Sequence, residues 1–499
     1  MIDRRNFLKT GIGAASVASV AAQTAESDLN VLFVAVDDLR PDLGCYGNES
    51  IRTPNIDRLA SRSLVFERAY CQAPVCGPSR ASLLTGLRPD TTRVWGNRTH
   101  FRETAPDAVT LPQQFKQAGY FTKALGKILH GKMADAPSWS EPAWPLGGVQ
   151  AGMQYVDEER FAPMAAAEPE RVWTGPEIPT LEWKKRHSWQ APRVPDNTLQ
   201  DGQVADRAIQ ALGRLRNRRF FLAVGFQKPH LPFTAPKRYF DLYDPSQLPV
   251  AEDPIRPVGA PDVAFTRWQE LRGYTDIPRE GPLPPGKARE LVHGYYAATS
   301  YMDFQVGRVL DELDALGLAD QTVVVLFGDH GWHLGEQQLW GKTTTYELDA
   351  RAPLMVHVPG MRSGGLSSAG IVEFVDMYPT ICDACGISPP DGLEGTSLMP
   401  LLEDPDRDWK GAAFSQITRP YLADQDWEQM GRSIRTSRYR YTEWANRDGS
   451  VAERELYDFE IAPTETVNLA TDPGHGSLVA SLSKRLRAGW RSEVPHLAP

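Results

Sequence analysis

Acidic side chains follow two apolar segments that lie far apart in the chain. Asp37 and Asp38 come directly after residues 29–36, and the pair Asp329 and His330 follows residues 322–327 after a single glycine. Carboxylate oxygens are the ligands that Ca²⁺ and Mg²⁺ prefer, whereas imidazole suits softer metals better. These residues predict a hard-cation site. The alternative for the Asp-Asp pair is a solvated turn or a helix cap.

A cysteine opens a short predicted helix. Cys76 begins the run Cys-Gly-Pro-Ser-Arg, which ends at Arg80 and leads into Ser-Leu-Leu-Thr-Gly, ending at Gly86. A nucleophile at a helix N-terminus gains from the helix dipole and from free backbone N–H groups, which also favour an oxyanion. Arg80 adds a permanent cation one turn further on. The alternative is a buried structural thiol.

Basic side chains follow further apolar segments. Lys127 and His130 come after residues 120–125, His230 comes after residues 220–226, and Lys342 ends the run Leu-Trp-Gly-Lys. Each is unremarkable alone. Together they offer cations for the oxygens of an anionic ester and an acid for its leaving group.

The elements that must position these residues alternate between strands and helices. Apolar runs predict strands at residues 29–36, 64–70, 120–125, 220–226, 322–327 and 353–358, and periodic segments predict helices at residues 111–118, 200–215 and 293–316. Ligands in open α/β sheets gather outside the carboxyl ends of the strands. The side chains expected to converge at that edge are Asp37, Asp38, Lys127, His130, His230, Asp329 and His330.

The remaining segments suggest a division of the chain. Residues 132–200 are rich in Pro, Trp and Ala without a clear period, which predicts a lid or substrate loop. Alternating residues after about Trp409 predict antiparallel strands and then a terminal helix. We therefore predict an α/β catalytic domain at residues 29–408 and a smaller α+β subdomain at residues 409–499.

Residues 1–28 have the pattern of a targeting segment. Arg4 and Arg5 precede a weakly apolar stretch rich in Gly and Ala, which is typical of a twin-arginine signal peptide. The stretch is too short to span a membrane. We expect export through the twin-arginine translocase to the bacterial periplasm without a stable membrane anchor. The alternative is a basic amphipathic helix.

Bulk properties exclude some classes of protein. The chain has 499 residues, 41% hydrophobic content and a net charge of −9, which argues against general nucleic-acid binding. Five cysteines are too few for a disulfide scaffold. Cys382 and Cys385 have redox-motif spacing, but they lie on a predicted apolar-faced helix, which favours two buried thiols.

The motifs together resemble a known enzyme family, the type I (formylglycine-dependent) sulfatases, and the iduronate-2-sulfatase-like subgroup in particular. The resemblance rests on the run after Cys76, on Val-Asp-Asp-Leu-Arg-Pro starting at Val36, on Gly-Lys-Ile-Leu-His ending at His130, on Lys-Pro-His-Leu-Pro-Phe starting at Lys228, and on Gly-Asp-His-Gly-Trp-His starting at Gly328. It implies an alkaline-phosphatase-like mixed sheet sandwiched by helices, with a smaller C-terminal α+β subdomain.

The resemblance also implies cofactors and roles. A transient formylglycine-generating maturase oxidises Cys76 to formylglycine, and one Ca²⁺, in preference to Mg²⁺, binds at Asp37, Asp38, Cys76, Asp329 and His330. A hydroxyl of the hydrated aldehyde attacks sulfur, while Lys127, Lys342 and Arg80 hold the charge. His230 is the candidate acid and His130 the candidate base or orienting group, and these two roles could be exchanged.

The implied substrate is a sulfated carbohydrate, and a glycosaminoglycan and an algal polysaccharide fragment are equally open. One rival is a phosphatase or phosphonate monoester hydrolase on the same fold. The single compact metal set and the maturation motif argue against it. A second rival is a non-catalytic, exported sugar- or Ca²⁺-binding protein, and the presence of every expected motif position argues against that class.

Overall fold

A computed structural model describes residues 29–131, 134–144, 155–167, 187–251, 255–420 and 422–495 of the chain. The predicted signal peptide and much of the predicted lid at residues 132–200 lie outside the described residues. Within the described ranges, no helix has the length and apolar content needed to cross a membrane.

The described residues form strands and helices that alternate through most of the chain. The strands are β1 (Asn30–Val36), β2 (Leu64–Tyr70), β3 (Phe121–Gly126), β4 (Trp189–Gln190), β5 (Phe220–Phe226), β6 (Phe233–Thr234), β7 (Thr322–Gly328), β8 (His333–Leu334), β9 (Trp340–Gly341), β10 (Leu354–His357), β11 (Ser367–Glu373), β12 (Ala412–Arg419), β13 (Gln429–Thr436), β14 (Tyr439–Asn446) and β15 (Val451–Asp458). The helices are α1 (Pro54–Ala60), α2 (Cys76–Thr85), α3 (Pro89–Thr92), α4 (Phe101–Thr104), α5 (Leu111–Gln117), α6 (Glu158–Ala167), α7 (Gln200–Leu215), α8 (Lys237–Phe240), α9 (Pro285–Ala315), α10 (Glu347–Ala350), α11 (Met377–Ala384), α12 (Met399–Glu403) and α13 (Gly476–Ala488).

A seven-stranded mixed sheet forms the centre of the molecule, in the order β11-β2-β10-β7-β1-β5-β3. Strand β10 pairs antiparallel with β2 and β7, whereas β1, β3, β5 and β7 run parallel to one another. Every residue of β1, β5 and β7 is buried, which explains why these strands are continuous apolar runs rather than alternating ones. Their carboxyl ends meet at one edge, as predicted.

Helices cover both faces of this sheet. On one face, apolar side chains of α1, α7 and α9, such as Ala208 and Val306, pack against β1 residues such as Val34. On the other face, α2, α5 and α11 contribute residues such as Leu83 and Phe115. Burial of apolar area on both faces is the main stabilising contribution to the sheet. It therefore holds the edge of the sheet, and the loops beyond that edge, in place.

Strands β3 and β5 approach each other very closely where they end. Gly126 has a φ of +76°, and a Cβ on Gly225 would lie 2.1 Å from the carbonyl oxygen of Lys127. Only glycine tolerates this approach without moving the backbone. The glycines therefore set the position from which Lys127 leaves the sheet.

A second, smaller sheet follows in the chain. Strands β12 to β15 form a four-stranded antiparallel meander, and helix α13 packs against it through Leu482 and Leu486. Buried ion pairs join it to the first sheet region: Glu347 of α10 pairs with Arg435 at 2.9 Å and with Arg440 at 2.6 Å. The predicted α+β character of this region is confirmed.

Several elements differ from the sequence prediction, and α9 and β11 are two of the longer ones. Helix α9 begins at Pro285 rather than near residue 293, because its first turns are polar and resemble the proline-rich loop before them, although proline is well tolerated at a helix start. Strand β11 was not predicted. It begins with small and polar residues and exists through parallel pairing with β2.

Candidate active site

Cys76 is the first residue of α2 and lies at the centre of the cluster at the sheet edge. Its side chain is 1% exposed. Its Sγ is 3.3 Å from His330 Nε2, 3.4 Å from Lys342 Nζ and 3.9 Å from Asp38 Oδ1. Because the free N–H groups of a helix N-terminus attract anions, this position suits a group that becomes negatively charged.

The carboxylates of Asp37, Asp38 and Asp329 leave the adjacent strands β1 and β7. Asp38 has a φ of +58°, an uncommon conformation for a residue other than glycine that costs energy unless its surroundings hold it. The Asp38 N–H donates to Asp329 Oδ1 at 3.1 Å, and the Tyr295 hydroxyl donates to the Asp38 carbonyl at 2.8 Å. These bonds hold the turn that directs both aspartates toward Cys76.

Arg80 lies behind the carboxylates rather than at an open surface. Its side chain is 1% exposed. Its Nε donates to Asp329 Oδ2 at 2.7 Å, and its terminal nitrogens donate to Asp37 Oδ1 at 3.2 Å and to the carbonyls of Lys127 and Ile128. The guanidinium thus donates hydrogen bonds to protein acceptors on several sides. These contacts hold the carboxylates of Asp37 and Asp329 in position.

Two lysines enter the cluster from different loops. Lys127 follows β3 and donates to Asp37 Oδ2. Lys342 follows β9, whose pairing with β8 turns the chain back toward His330, and its Nζ donates to Asp38 Oδ1 at 2.7 Å. Both side chains are almost fully buried, so their charges act on the cluster with little screening by water.

His230 lies in the loop after β5, and its ring nitrogens have oxygen atoms on both sides. Nδ1 is 2.5 Å from the Leu231 carbonyl oxygen, and Nε2 is 3.0 Å from Glu270 Oε1 and 3.9 Å from an oxygen of each of Asp37 and Asp38. Burial lowers the pKa of His230, but the charges of Asp38 and Glu270 outweigh it and raise the pKa above its usual value.

His130 lies next to the same charges but has a different environment. Its Nδ1 is buried and has no hydrogen-bond partner among the described residues. Burial and the nearby charge of Lys127 lower the pKa of His130 to about 3. This ring is therefore neutral near pH 7, and its pKa is shifted in the direction opposite to that of His230.

The surroundings shift the pKa values of the two neighbouring aspartates in opposite directions. Burial opposes the ionisation of Asp37, but Lys127, His230 and Arg80 hold its pKa well below the usual range. Burial raises the pKa of Asp38 to about 7. For the Cys76 thiol, burial and Asp37 raise the pKa, but the two lysines outweigh them and lower it. The site thus favours an anion at position 76.

The donor atoms fit a bound cation. One atom from each of Asp37, Asp38, Cys76 and His230 lies within 4.8 Å of the others, and the same holds for Cys76, Asp329 and His330. Asp38 Oδ2 is buried without a hydrogen-bond partner among the described residues. A buried carboxylate oxygen with no partner is costly, and a cation would relieve that cost.

The structure brings together every residue that the sequence analysis placed in the site, and it adds three that were not predicted. Glu270 lies on an irregular segment, Lys228 donates to the carbonyls of the His230 loop, and Asp201 accepts from the backbone N–H groups of Gln227 and Lys228. Lys228 was within a quoted motif, but nothing in the sequence marked Glu270. Cys382 and Cys385 are buried free thiols, as predicted.

A mixed sheet covered by helices on both faces, with a buried cysteine at a helix start among carboxylates and cations at the strand ends, places the protein in the class with the alkaline-phosphatase-like fold. A phosphonate monoester hydrolase from Silicibacter pomeroyi has the same fold, with a TM-score of 0.73 over 94% of this chain and 96% of its own, at 23% identity.

Sequence comparison identifies the family to which the chain belongs within this class of fold. The sulfatase family profile matches residues 29–387, and the profile for the C-terminal part of N-sulphoglucosamine sulphohydrolase matches residues 335–491. Iduronate 2-sulfatase of Homo sapiens is 35% identical, with 92% of this chain and 94% of that protein aligned. A sulfatase of Formosa agariphila is 30% identical, with 98% and 93% aligned. The chain belongs to the sulfatase family, in its iduronate-2-sulfatase-like subgroup.

Proposed function

We propose that this sulfatase removes sulfate from a sulfated carbohydrate, with formylglycine made from Cys76 as the nucleophile and one Ca²⁺ in the site. The observation that carries the proposal is the buried position of Cys76 Sγ, 3.3 Å from His330 Nε2 and 3.4 Å from Lys342 Nζ. Relatedness to iduronate 2-sulfatase supports a carbohydrate substrate. A glycosaminoglycan and an algal polysaccharide fragment both fit that support.

Residues of the site could hold both groups that the proposal requires. Formylglycine at position 76 would supply, as its hydrate, a nucleophilic hydroxyl, and covalent catalysis of this kind divides one difficult displacement into two easier steps. Asp37, Asp38, Asp329 and His330, together with residue 76, would hold a divalent cation, which would supply positive charge for the sulfonate oxygens.

The charges of the protein itself support this assignment. Arg80, Lys127 and Lys342 pair with the buried carboxylates of Asp37, Asp38 and Asp329, and Lys342 also pairs with Glu270. A bound divalent cation would add to these positive charges, which favours the binding of an anionic ester. We assign Lys127 and Lys342 to the sulfonate oxygens and Arg80 to the positioning of the carboxylates.

The two histidines divide the proton transfers. His230, with a raised pKa, is the acid that protonates the leaving oxygen. His130, with a pKa of about 3, is neutral and acts as the base or orienting group when sulfate is released. The different environments of the two rings favour this assignment over the exchanged one.

We also propose that the protein is exported to the bacterial periplasm through the twin-arginine translocase, after a maturase has modified Cys76. The sequence around Arg4 and Arg5 supports this. Replacement of both arginines by lysine should leave active protein in the cytoplasmic fraction of the host. Equal recovery in the periplasmic fraction would contradict the proposed route.

Matched cysteine variants test the activity. Cys76→Ala should abolish sulfate release from sulfated sugars, whereas Cys71→Ala, which removes a buried thiol in the same segment, should retain it. Ion chromatography of released sulfate is the measurement. If wild-type protein releases phosphate from phosphate or phosphonate esters but no sulfate from any sulfated sugar, the proposed substrate class is wrong.

Metal removal tests the cofactor. Treatment with a chelator should lower both activity and the melting temperature, because an ion that binds only the folded state stabilises it. Ca²⁺ should restore both better than Mg²⁺. Unchanged activity and melting temperature in metal-depleted protein, verified by elemental analysis, would contradict a resident cation.

A further inference from the structure

The main chain that carries Lys342 is held on both sides of this residue. On one side, Gly341 pairs with His333 in the short hairpin of β8 and β9. On the other side, the Thr344 N–H donates to Asp349 Oδ2 at 2.9 Å, and the Thr344 hydroxyl donates to the same oxygen at 2.7 Å. Lys342 therefore lies between two fixed points of the chain.

The carboxylate of Asp349 joins these two fixed points. Its Oδ1 is 2.5 Å from His333 Nδ1 on β8, while its Oδ2 accepts both bonds from Thr344 beyond β9. The side chains of Asp349 and His333 are fully buried. The Asp349 carbonyl accepts from the Gly331 N–H at 2.8 Å, which fixes α10 relative to the end of β7. One buried carboxylate thus connects both sides of the hairpin that presents Lys342.

The residue between Lys342 and Thr344 has an unfavourable backbone conformation. Thr343 has a φ of +86°, which is an outlier for a β-branched residue and costs energy unless its surroundings hold it. Its hydroxyl is buried and has no hydrogen-bond partner among the described residues, so its own side chain does not offset this cost. The bonds from Thr344 to Asp349 begin at the next residue and oppose relaxation of this turn.

We propose that Thr344 and Asp349 are positioning residues for Lys342. They hold its ammonium at the place that the proposed function gives to the sulfonate oxygens, where Nζ is 3.4 Å from Cys76 Sγ and 2.7 Å from Asp38 Oδ1. The inference rests on that proposed function. It assigns a task in the reaction to the segment that follows Lys342 and to the buried carboxylate beneath it.

The effect on the reaction passes through Lys342 alone. A lysine side chain is long and flexible, so the position of its charge depends on where its main chain is held. A fixed positive charge stabilises the charge that develops on the sulfonate oxygens in the transition state. Thr344 and Asp349 exchange no proton and form no bond with the substrate. Loss of this positioning should therefore lower kcat and leave KM nearly unchanged.

Two adjacent threonines provide a matched pair of variants. Thr344→Val removes the hydroxyl, which also accepts from the Tyr346 N–H at 3.2 Å, and keeps the shape of the side chain and the backbone N–H. Thr345→Val is the control, because the Thr345 hydroxyl lies 3.3 Å from that of Thr442 in the C-terminal sheet and not at Asp349. Both threonines are 1% exposed, so both variants should lower the melting temperature.

We would measure kcat and KM by sulfate release from a methyl glycoside sulfate and from 4-nitrophenyl sulfate, which share the sulfonate group. Thr344→Val should lower kcat about 10-fold on both, less than the about 100-fold that a shift of about 1 Å can cost, because the backbone N–H bond to Asp349 remains. Thr345→Val should leave kcat close to that of the wild type. Thr344→Ser keeps the hydroxyl and should recover most of the kcat.

A double variant separates positioning of Lys342 from a general loss of structure. Lys342→Ala removes the charge that Thr344 is proposed to position. In that background, Thr344→Val should cause no further loss of kcat, because residues that act as one unit give non-additive effects. The melting temperature should still fall, since the hydroxyl bond is lost in either background.

Additive losses in the double variant would overturn the inference alone. So would equal kcat values for Thr344→Val and Thr345→Val, or wild-type turnover by Lys342→Ala. A wild-type enzyme that releases sulfate from neither substrate would overturn the proposed function and the inference with it.

Discussion

Arg80 provides a quantitative test of how the site is held together. The resemblance to sulfatases implies that Arg80 helps to hold the charge of the substrate, whereas the structure surrounds it with acceptors from the protein. Its guanidinium donates to Asp329 at 2.7 Å, to Asp37 at 3.2 Å and to two main-chain carbonyls. We therefore expect Arg80→Lys to lower the stability of the fold as well as the activity.

The magnitude follows from the hydrogen bonds that are lost. A lysine ammonium donates from one point and does not reach acceptors on several sides of the guanidinium plane. Loss of two bonds to buried charged groups, at about 1.5–3 kcal/mol each, gives a loss of about 3–6 kcal/mol.

Urea denaturation followed by circular dichroism measures the effect, with Arg88→Lys as the matched control. Arg88 is also buried and donates to both oxygens of Glu373 at 2.7 Å, outside the site. Both variants should unfold at lower urea concentration, and only Arg80→Lys should lower kcat in the folded protein. If Arg80→Lys has wild-type stability but has lost turnover, the guanidinium contacts the substrate and our account of it is wrong.

Two other predictions concern the scaffold. Gly225→Ala should destabilise the protein by about 1–3 kcal/mol and reduce activity, because its Cβ would lie 2.1 Å from the Lys127 carbonyl oxygen. Gly213→Ala, on α7 with nothing within 4 Å, should be neutral or stabilising by up to about 1 kcal/mol in the same thermal melts. A similar melting temperature for both variants would contradict the close approach. Burial raises the pKa of Glu347, but two arginines outweigh it and lower the pKa from 4.5 to about 2. Its ionised form therefore stabilises the fold above pH 4.5, and this contribution is lost as the pH falls through 2. The penalty of Glu347→Gln should be about 3 kcal/mol near pH 6 and should shrink below pH 4.5, and a penalty independent of pH would refute this.

Much of the site was predictable because its residues follow strands that are themselves recognisable in the sequence as continuous apolar runs. Val34 and Val36 lie in a run that is buried on both faces, so the strand and its carboxyl end are defined locally. The aspartates after that strand and the pair Asp329 and His330 then converge by the topology of a parallel sheet. Cys76 was marked by its own motif.

The residues that were missed depend on tertiary contacts. Glu270 lies in a proline-rich segment without periodicity. Its position is fixed because Trp268 and Leu271 are buried in an apolar cluster whose other members are far away in the sequence. No local pattern in the sequence reports that contact. Likewise, the sequence shows that Arg80 is a cation one helical turn after Cys76. Only the fold shows that buried acceptors already surround it.

The most direct test of the central claim is peptide mass spectrometry on protein from its native host. Trypsin cleavage after Arg68 and Arg80 releases a peptide that contains both Cys71 and Cys76, so Cys71 serves as an internal control. We expect residue 76 to have lost its sulfur and to carry an aldehyde oxygen, while Cys71 remains a thiol. A plain thiol at Cys76 in fully active protein would contradict it.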